Sequence, residues 1–130
     1  MTGSPLSLAV LGVSSLETAR KFYGDVVGLD ASEPTPMAGP GFEAHWGLEP
    51  GVTADGVMFS AGSSNVGRVL AIEFHADHRQ TIPQPGDRTY RGLWNLNFYV
   101  DDIRTTTKTL KADGYTFWSE PVGYEVSAAA

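Results

Sequence analysis

The stretch Leu70–His75, LAIEFH, sets a carboxylate and an imidazole two residues apart, with Glu73 and His75 flanking Phe74. Successive side chains of an extended strand point to opposite faces, so Glu73 and His75 share a face that Ile72 and Phe74 do not. A carboxylate there can serve as a general base, and an imidazole, which titrates near neutral pH, can pass a proton beside it. The same pattern also fits the polar outer face of an edge strand. His78 stands three residues beyond His75 and would point the other way. It reads as a solvated linker residue rather than a partner.

A second polar set, Asn95, Asn97 and Tyr99, alternates with Leu96, Phe98 and Val100. Buried amides need hydrogen-bond partners, and a ligand with carbonyl or hydroxyl groups would supply them. A water-filled groove is the plainer alternative. Glu43 and His45 alternate with Phe42, Ala44 and Trp46, so as a strand they would line a pocket together or form its exposed side. Trp46, Phe59, Trp94 and Trp118 suit an apolar wall for a planar ligand, or ordinary core. The glycines are scattered turn residues with no phosphate-binding loop among them. No nucleophile elbow supports a Ser-His-Asp triad.

These residues depend on the elements that carry them. Leu6–Asp30 reads as a strand, a helix and an exit glycine. Ser14-Ser15-Leu16-Glu17 has the spacing of a capping box, with Ser14 as cap and Glu17 reaching back. Leu16, Ala19, Phe22, Tyr23, Val26 and Val27 follow at helical spacing, and Gly28 can take the left-handed conformation that ends a helix. The segment 31–41 has three prolines and two glycines and reads as a loop or irregular edge. Phe42–Leu48 reads as a strand; 57–61 and 68–76 read as a hairpin across a turn-rich connection, followed by a linker. Leu93–Val100 is an alternating strand. Asp101 or Asp102 then caps a helix to about Asp113 that buries Ile103, Thr106 or Thr107, and Leu110. Gly114 closes it, and Tyr115–Trp118 begins a further strand. Val13-Ser14-Ser15-Leu16 and Val100-Asp101-Asp102-Ile103 are two copies of one unit, 87 positions apart. Such a period marks two fold halves rather than a solenoid.

The bulk composition narrows the function classes. The chain has 130 residues and a net charge of −6, and its nine basic residues are scattered, which disfavours nucleic acid. No apolar run reaches the ~20 residues of a membrane span. The start of the chain lacks the pattern of a signal peptide. With no cysteine there is neither a disulfide framework nor a thiolate metal site. A cytoplasmic location fits best.

The residues VSSLETARKFYGDVVGLD in the first half and LNFYVDDI with LKADGYTF in the second resemble the vicinal oxygen chelate superfamily. That group includes glyoxalase I, extradiol dioxygenases and bleomycin-resistance proteins. The resemblance covers roughly half of the chain. It implies an α+β fold of paired βαβββ modules, a curled mixed sheet around a ligand cup into which Asn95, Asn97 and Tyr99 would look. The whole chain would be one such domain. Its first module would span about 6–78, its linker 79–91, and its second module would start at 92 and be short at the C-terminus. A truncated chain is the preferred reading of that shortness, and completion by a partner or another domain is the other.

The resemblance also implies a metal ligand, often His, five residues before the valine that precedes each helix. Those positions hold Leu8 and Asn95: leucine has no donor atom and Asn offers only an amide oxygen. Glu73 fits the family position for a carboxylate ligand and is the only plausible metal ligand. No cofactor is therefore expected, and a divalent metal is disfavoured. The resemblance leaves an enzyme performing acid–base chemistry, as an isomerase, cyclase or lyase, on an oxygenated and partly apolar metabolite. Glu73 and His75 would be catalytic, and Asn95, Asn97, Tyr99, His45 and Leu8 would contact substrate. The alternative is a non-catalytic binder like the bleomycin-resistance proteins, and a third reading is a structural half of a larger tandem protein. The expected partners are a small molecule and a second copy or tandem domain, with no nucleic acid and no membrane.

Overall fold

The computed structural model describes residues 6–77, 96–117 and 119–123. Asn95, Trp94, Trp118, His78 and the proposed linker 79–91 lie outside the described residues. The chain divides into two compact units, Met1–Tyr90 and Arg91–Ala130.

The first unit begins with strand β1, Leu8–Gly12, and helix α1, Leu16–Ala19, which continues as a π-helical run, Arg20–Val26. Wider i→i−5 bonding shows in Val27 N–H donating to the Phe22 carbonyl at 2.9 Å. Gly28, at φ 81°, ends the run as its sequence position implies. The cap falls one residue later than the capping-box reading. Ser15, not Ser14, is the N-cap, and its hydroxyl accepts from Thr18 N–H at 3.2 Å. Glu17 does not reach back to the cap. It pairs forward with Lys21 at 2.8 Å, one helical turn on, where opposite charges attract.

Two short strands follow, β2 (Asp30–Ala31) and β3 (Thr35–Met37), before helix α2, Pro40–Trp46. The strand expected over Phe42–Leu48 is thus a helix. Phe42 and Trp46 are four apart, a spacing that fits both a strand face and a helical turn. Pro40 opens the first turn, and Gly47, at φ 64°, closes the last. Both rings meet Phe74, with centroids 6.0 Å and 5.7 Å away. That packing selects the helix.

The hairpin strands are β4, Thr53–Ser60, and β5, Arg68–His75. The curled, unclosed mixed sheet has the order β1-β5-β4-β2, with β3 also on β4. β1 runs parallel to β5, while β2, β3 and β5 are antiparallel to β4. Phe59, Val57 and Ile72 are its largest fully buried side chains, and Val69, Ala71, Leu16 and Ala19 are buried too. Burial of each large apolar side chain contributes roughly 1.5–3 kcal/mol.

In the second unit, residues 96–100 form no ladder among the described residues, so the described part of the expected strand is irregular. Helix α3, Ile103–Ala112, is capped by Asp102, whose Oδ1 accepts from Arg104 N–H at 2.9 Å and Thr105 N–H at 3.1 Å. Thr107 is its buried residue, but Ile103, expected inside, is 54% exposed. Lys111 pairs with Glu120 and lies over the Phe117 ring. No helix among the described residues is long and apolar enough to cross a membrane.

Candidate functional site

Strand register decides which candidates meet. β1 and β5 pair in parallel with Leu8 beside Arg68 and Val10 beside Leu70. In a parallel ladder paired residues share a face, so Leu8, Val10, Arg68, Leu70, Ile72 and Phe74 lie on one side. Val69, Ala71, Glu73 and His75 lie on the other. Across the hairpin Asp55 pairs with Glu73 and Thr53 with His75, so Asp55 joins them.

The Glu73 side faces α1. Glu73 Oε2 accepts from Leu16 N–H at 2.9 Å, at the first turn of the helix. Backbone amides there have no partner within the helix, and the helix dipole favours a negative group, so Glu73 acts as a remote cap. Tyr23 packs on Phe59 from the same side, with ring centroids 5.3 Å apart. Burial of the Tyr23 hydroxyl pushes its ionisation above a phenol's ordinary 10.0.

His75 stands next to Glu73 on that face and pairs with Asp55, Nε2 to Oδ2 at 2.9 Å. A carboxylate only accepts, so the imidazole donates Nε2–H to it. The side chains are 46% and 40% exposed, so the pair is accessible to solvent. It forms a carboxylate-oriented imidazole, the arrangement general-base catalysis uses. Asp55 is absent from the sequence expectations because only the hairpin register brings it to His75.

The opposite face differs in character. Its Phe74 end is covered by Phe42 and Trp46 of α2. Met37 lies over Gly56, where a side chain would otherwise stand. The Arg68 end is more open: Leu8, Arg68, Leu70 and Met58 are half-buried and Val10 is 40% exposed. Its side chains nearest Leu8 are apolar apart from the Arg68 guanidinium, with Ser60 and Asp30 on the same side toward β2. Arg68 Nε is buried without a hydrogen-bond partner. Leu8, expected as a substrate contact, belongs to this surface; Arg68 was not among the expected residues.

The remaining candidates are elsewhere. His45 is exposed on α2, its ring edge-on to Trp46 at 5.2 Å. On a helix it does not share a face with Glu43, since residues two apart lie about 200° around the axis. Glu43 Oε1 instead accepts from Gly51 N–H at 2.8 Å. Asn97 and Tyr99 belong to the second unit, where both are exposed, Tyr99 fully. A cavity of about 270 Å³ in that unit is lined by Arg104, Thr107, Lys108, Lys111, Glu120 and Pro121, and by none of the candidates.

The described donors of the first unit do not fit a chelated metal. Leu8 has no donor atom, and Glu73 sits on the other face with one oxygen engaged by α1. Among the described residues no group of three or more His, Asp and Glu is placed to hold a metal ion.

A crystal structure of a glyoxalase family protein from Bacillus cereus superposes with a TM-score of 0.80 at 19% identity, covering 96% of this chain and 82% of that one. No curated protein matches in sequence. The family model for the Glyoxalase/Bleomycin resistance protein/Dioxygenase superfamily matches residues 6–128. Together with the curled mixed sheet and its α1 start, that match over nearly the whole length places the chain in this superfamily, and it belongs to it.

Proposed function

We propose that this chain is a small-molecule binder that holds an oxygenated, partly apolar ligand against the Leu8–Val10–Leu70 end of the sheet. No metal is held through the first unit in this reading. The observation that carries it is the segregation of the two faces. The acid–base side chains Glu73, His75 and Asp55 turn toward α1, while the half-open end opposite them is apolar. Apolar surface of this kind with one or few polar groups is the usual composition of a ligand site. The halves of about 6–78 and from 92 onward are read as paired modules of one domain.

An acid–base enzyme is the second reading, favoured by the His75–Asp55 pair. Asp55 would orient the ring and Nδ1 would take the proton. A thermal-shift screen of small oxygenated compounds, followed by mass spectrometry of the bound compound, separates the two. Binding predicts recovery of the compound unchanged and loss of the shift in Val10→Asp, with His75→Asn still binding. Recovery of a converted compound, with conversion lost in His75→Asn, would overturn simple binding in favour of the enzyme.

A further inference from the structure

We propose that Arg68 is the anchor for a ligand carboxylate on this face, so that the ligand is an organic acid with an apolar body. This deepens the binding reading and rests on it.

Arg68 opens β5 directly beside Leu8, with Leu70 the next residue on the same face and Val10 beside Leu70. Its Nε is buried and has no hydrogen-bond partner. A guanidinium cannot escape that cost by losing its proton, as a buried lysine can. The other cations described in the first unit are engaged: Arg20 with the Ser32 carbonyl, and Lys21 with Glu17 at 2.8 Å. Asp30 shares the face at its far edge, two strands away, but its Oδ2 accepts from Gly62 N–H at 3.1 Å. The fold therefore leaves a permanent, half-buried cation beside Leu8, Val10 and Leu70, with its Nε buried and unpaired.

Chemistry narrows what completes it. Nε itself has no surface that a ligand could reach, so a ligand meets the Nη end of the planar guanidinium, where two parallel N–H bonds match the two oxygens of a carboxylate. A neutral carbonyl would take one donor and leave the charge uncompensated. Leu8, Val10 and Leu70 would receive the apolar body that such an acid carries.

The test is isothermal titration of the full chain with hexanoate and 4-phenylbutyrate, each against its primary amide. The acids are expected to bind at least about ten-fold tighter than the amides, the scale of one charge-assisted pair. Arg68→Met should abolish that preference while leaving amide binding in place. Without ligand, R68M should melt no lower than the wild type, because it removes an unpaired donor. Arg68→Lys keeps the charge without the planar edge and should lose several-fold of the preference, which carries the test should R68M fold poorly. Equal binding of acid and amide by the wild type would overturn the anchor while leaving the binding reading intact. So would an acid preference that R68M or R68K retains in full. Absence of binding by both acid and amide would overturn the binding reading itself, and the anchor with it.

Discussion

Glu73 offers the sharpest test, because its family position suggests chemistry and its placement gives it a structural task. Glu73→Ala removes the acceptor for Leu16 N–H at the first turn of α1. A hydrogen bond to a charged group contributes roughly 1.5–3 kcal/mol, and a carboxylate at a helix N-terminus adds roughly 0.3–1 kcal/mol. Asp55 lies directly opposite on β4, and relief of that like-charge pair returns roughly 0.2–1 kcal/mol. The net expected loss is about 2 kcal/mol, or about 8 °C in melting temperature for a chain of this length. Glu73→Gln keeps an oxygen for Leu16 N–H and removes the repulsion, so its loss should stay below about 1 kcal/mol. Thermal and urea unfolding of the two variants measure both values. An alanine variant as stable as the wild type would refute the capping role. A glutamine variant of full stability that had lost ligand binding or turnover would return Glu73 to the chemistry.

Phe59→Ala empties a fully buried site against Tyr23 and should cost about 3–5 kcal/mol in urea unfolding, with loss of the near-ultraviolet signal of the paired rings. Asp102 is held below its ordinary carboxyl range by the Thr105 hydroxyl and amide and by the Arg104 amide. Its folded value is depressed, so its contribution to α3 is present above the ordinary value of 3.8 and lost as pH falls through the folded one, which circular dichroism would follow; Asp102→Asn should remove that acid dependence. Leu8→His should not create a divalent-metal site with Glu73, because the two positions lie on opposite faces; titration with Zn²⁺ that found a new site abolished by Glu73→Gln would refute the register.

The start of each half is legible in the sequence because its signals are local. Gly28 and Gly114 both take positive φ where a helix must end, and Asp102 caps α3 as its spacing implies. The misses arise where two local rules fit the same residues. Phe42 and Trp46 satisfy a strand and a helix equally, and only the Phe74 ring beneath them decides. Ser14 and Ser15 are both able caps. The choice of Ser15 goes with Leu16 N–H meeting Glu73, 57 residues away, a partner no local spacing reveals.

The candidate site was less legible than the fold for a related reason. Alternation within LAIEFH correctly pairs Glu73 with His75, but a period of two is silent about which face is which. That is set by the register between β1 and β5. Leu8 lies beside Arg68, so residues at even steps from Arg68 share its face, and Glu73, at an odd step, does not. The same parity brings Arg68 to the Leu8 surface and turns His75 and Asp55 toward the helix side. Leu8 therefore says less by lacking a donor atom than by the neighbour it is given. A histidine there would still face away from Glu73, whereas the leucine shares its face with Arg68, whose Nε is buried and unpaired. In the proposed anchor it is the residue beside the familiar ligand position, rather than the position itself, that sets the chemistry a ligand must bring.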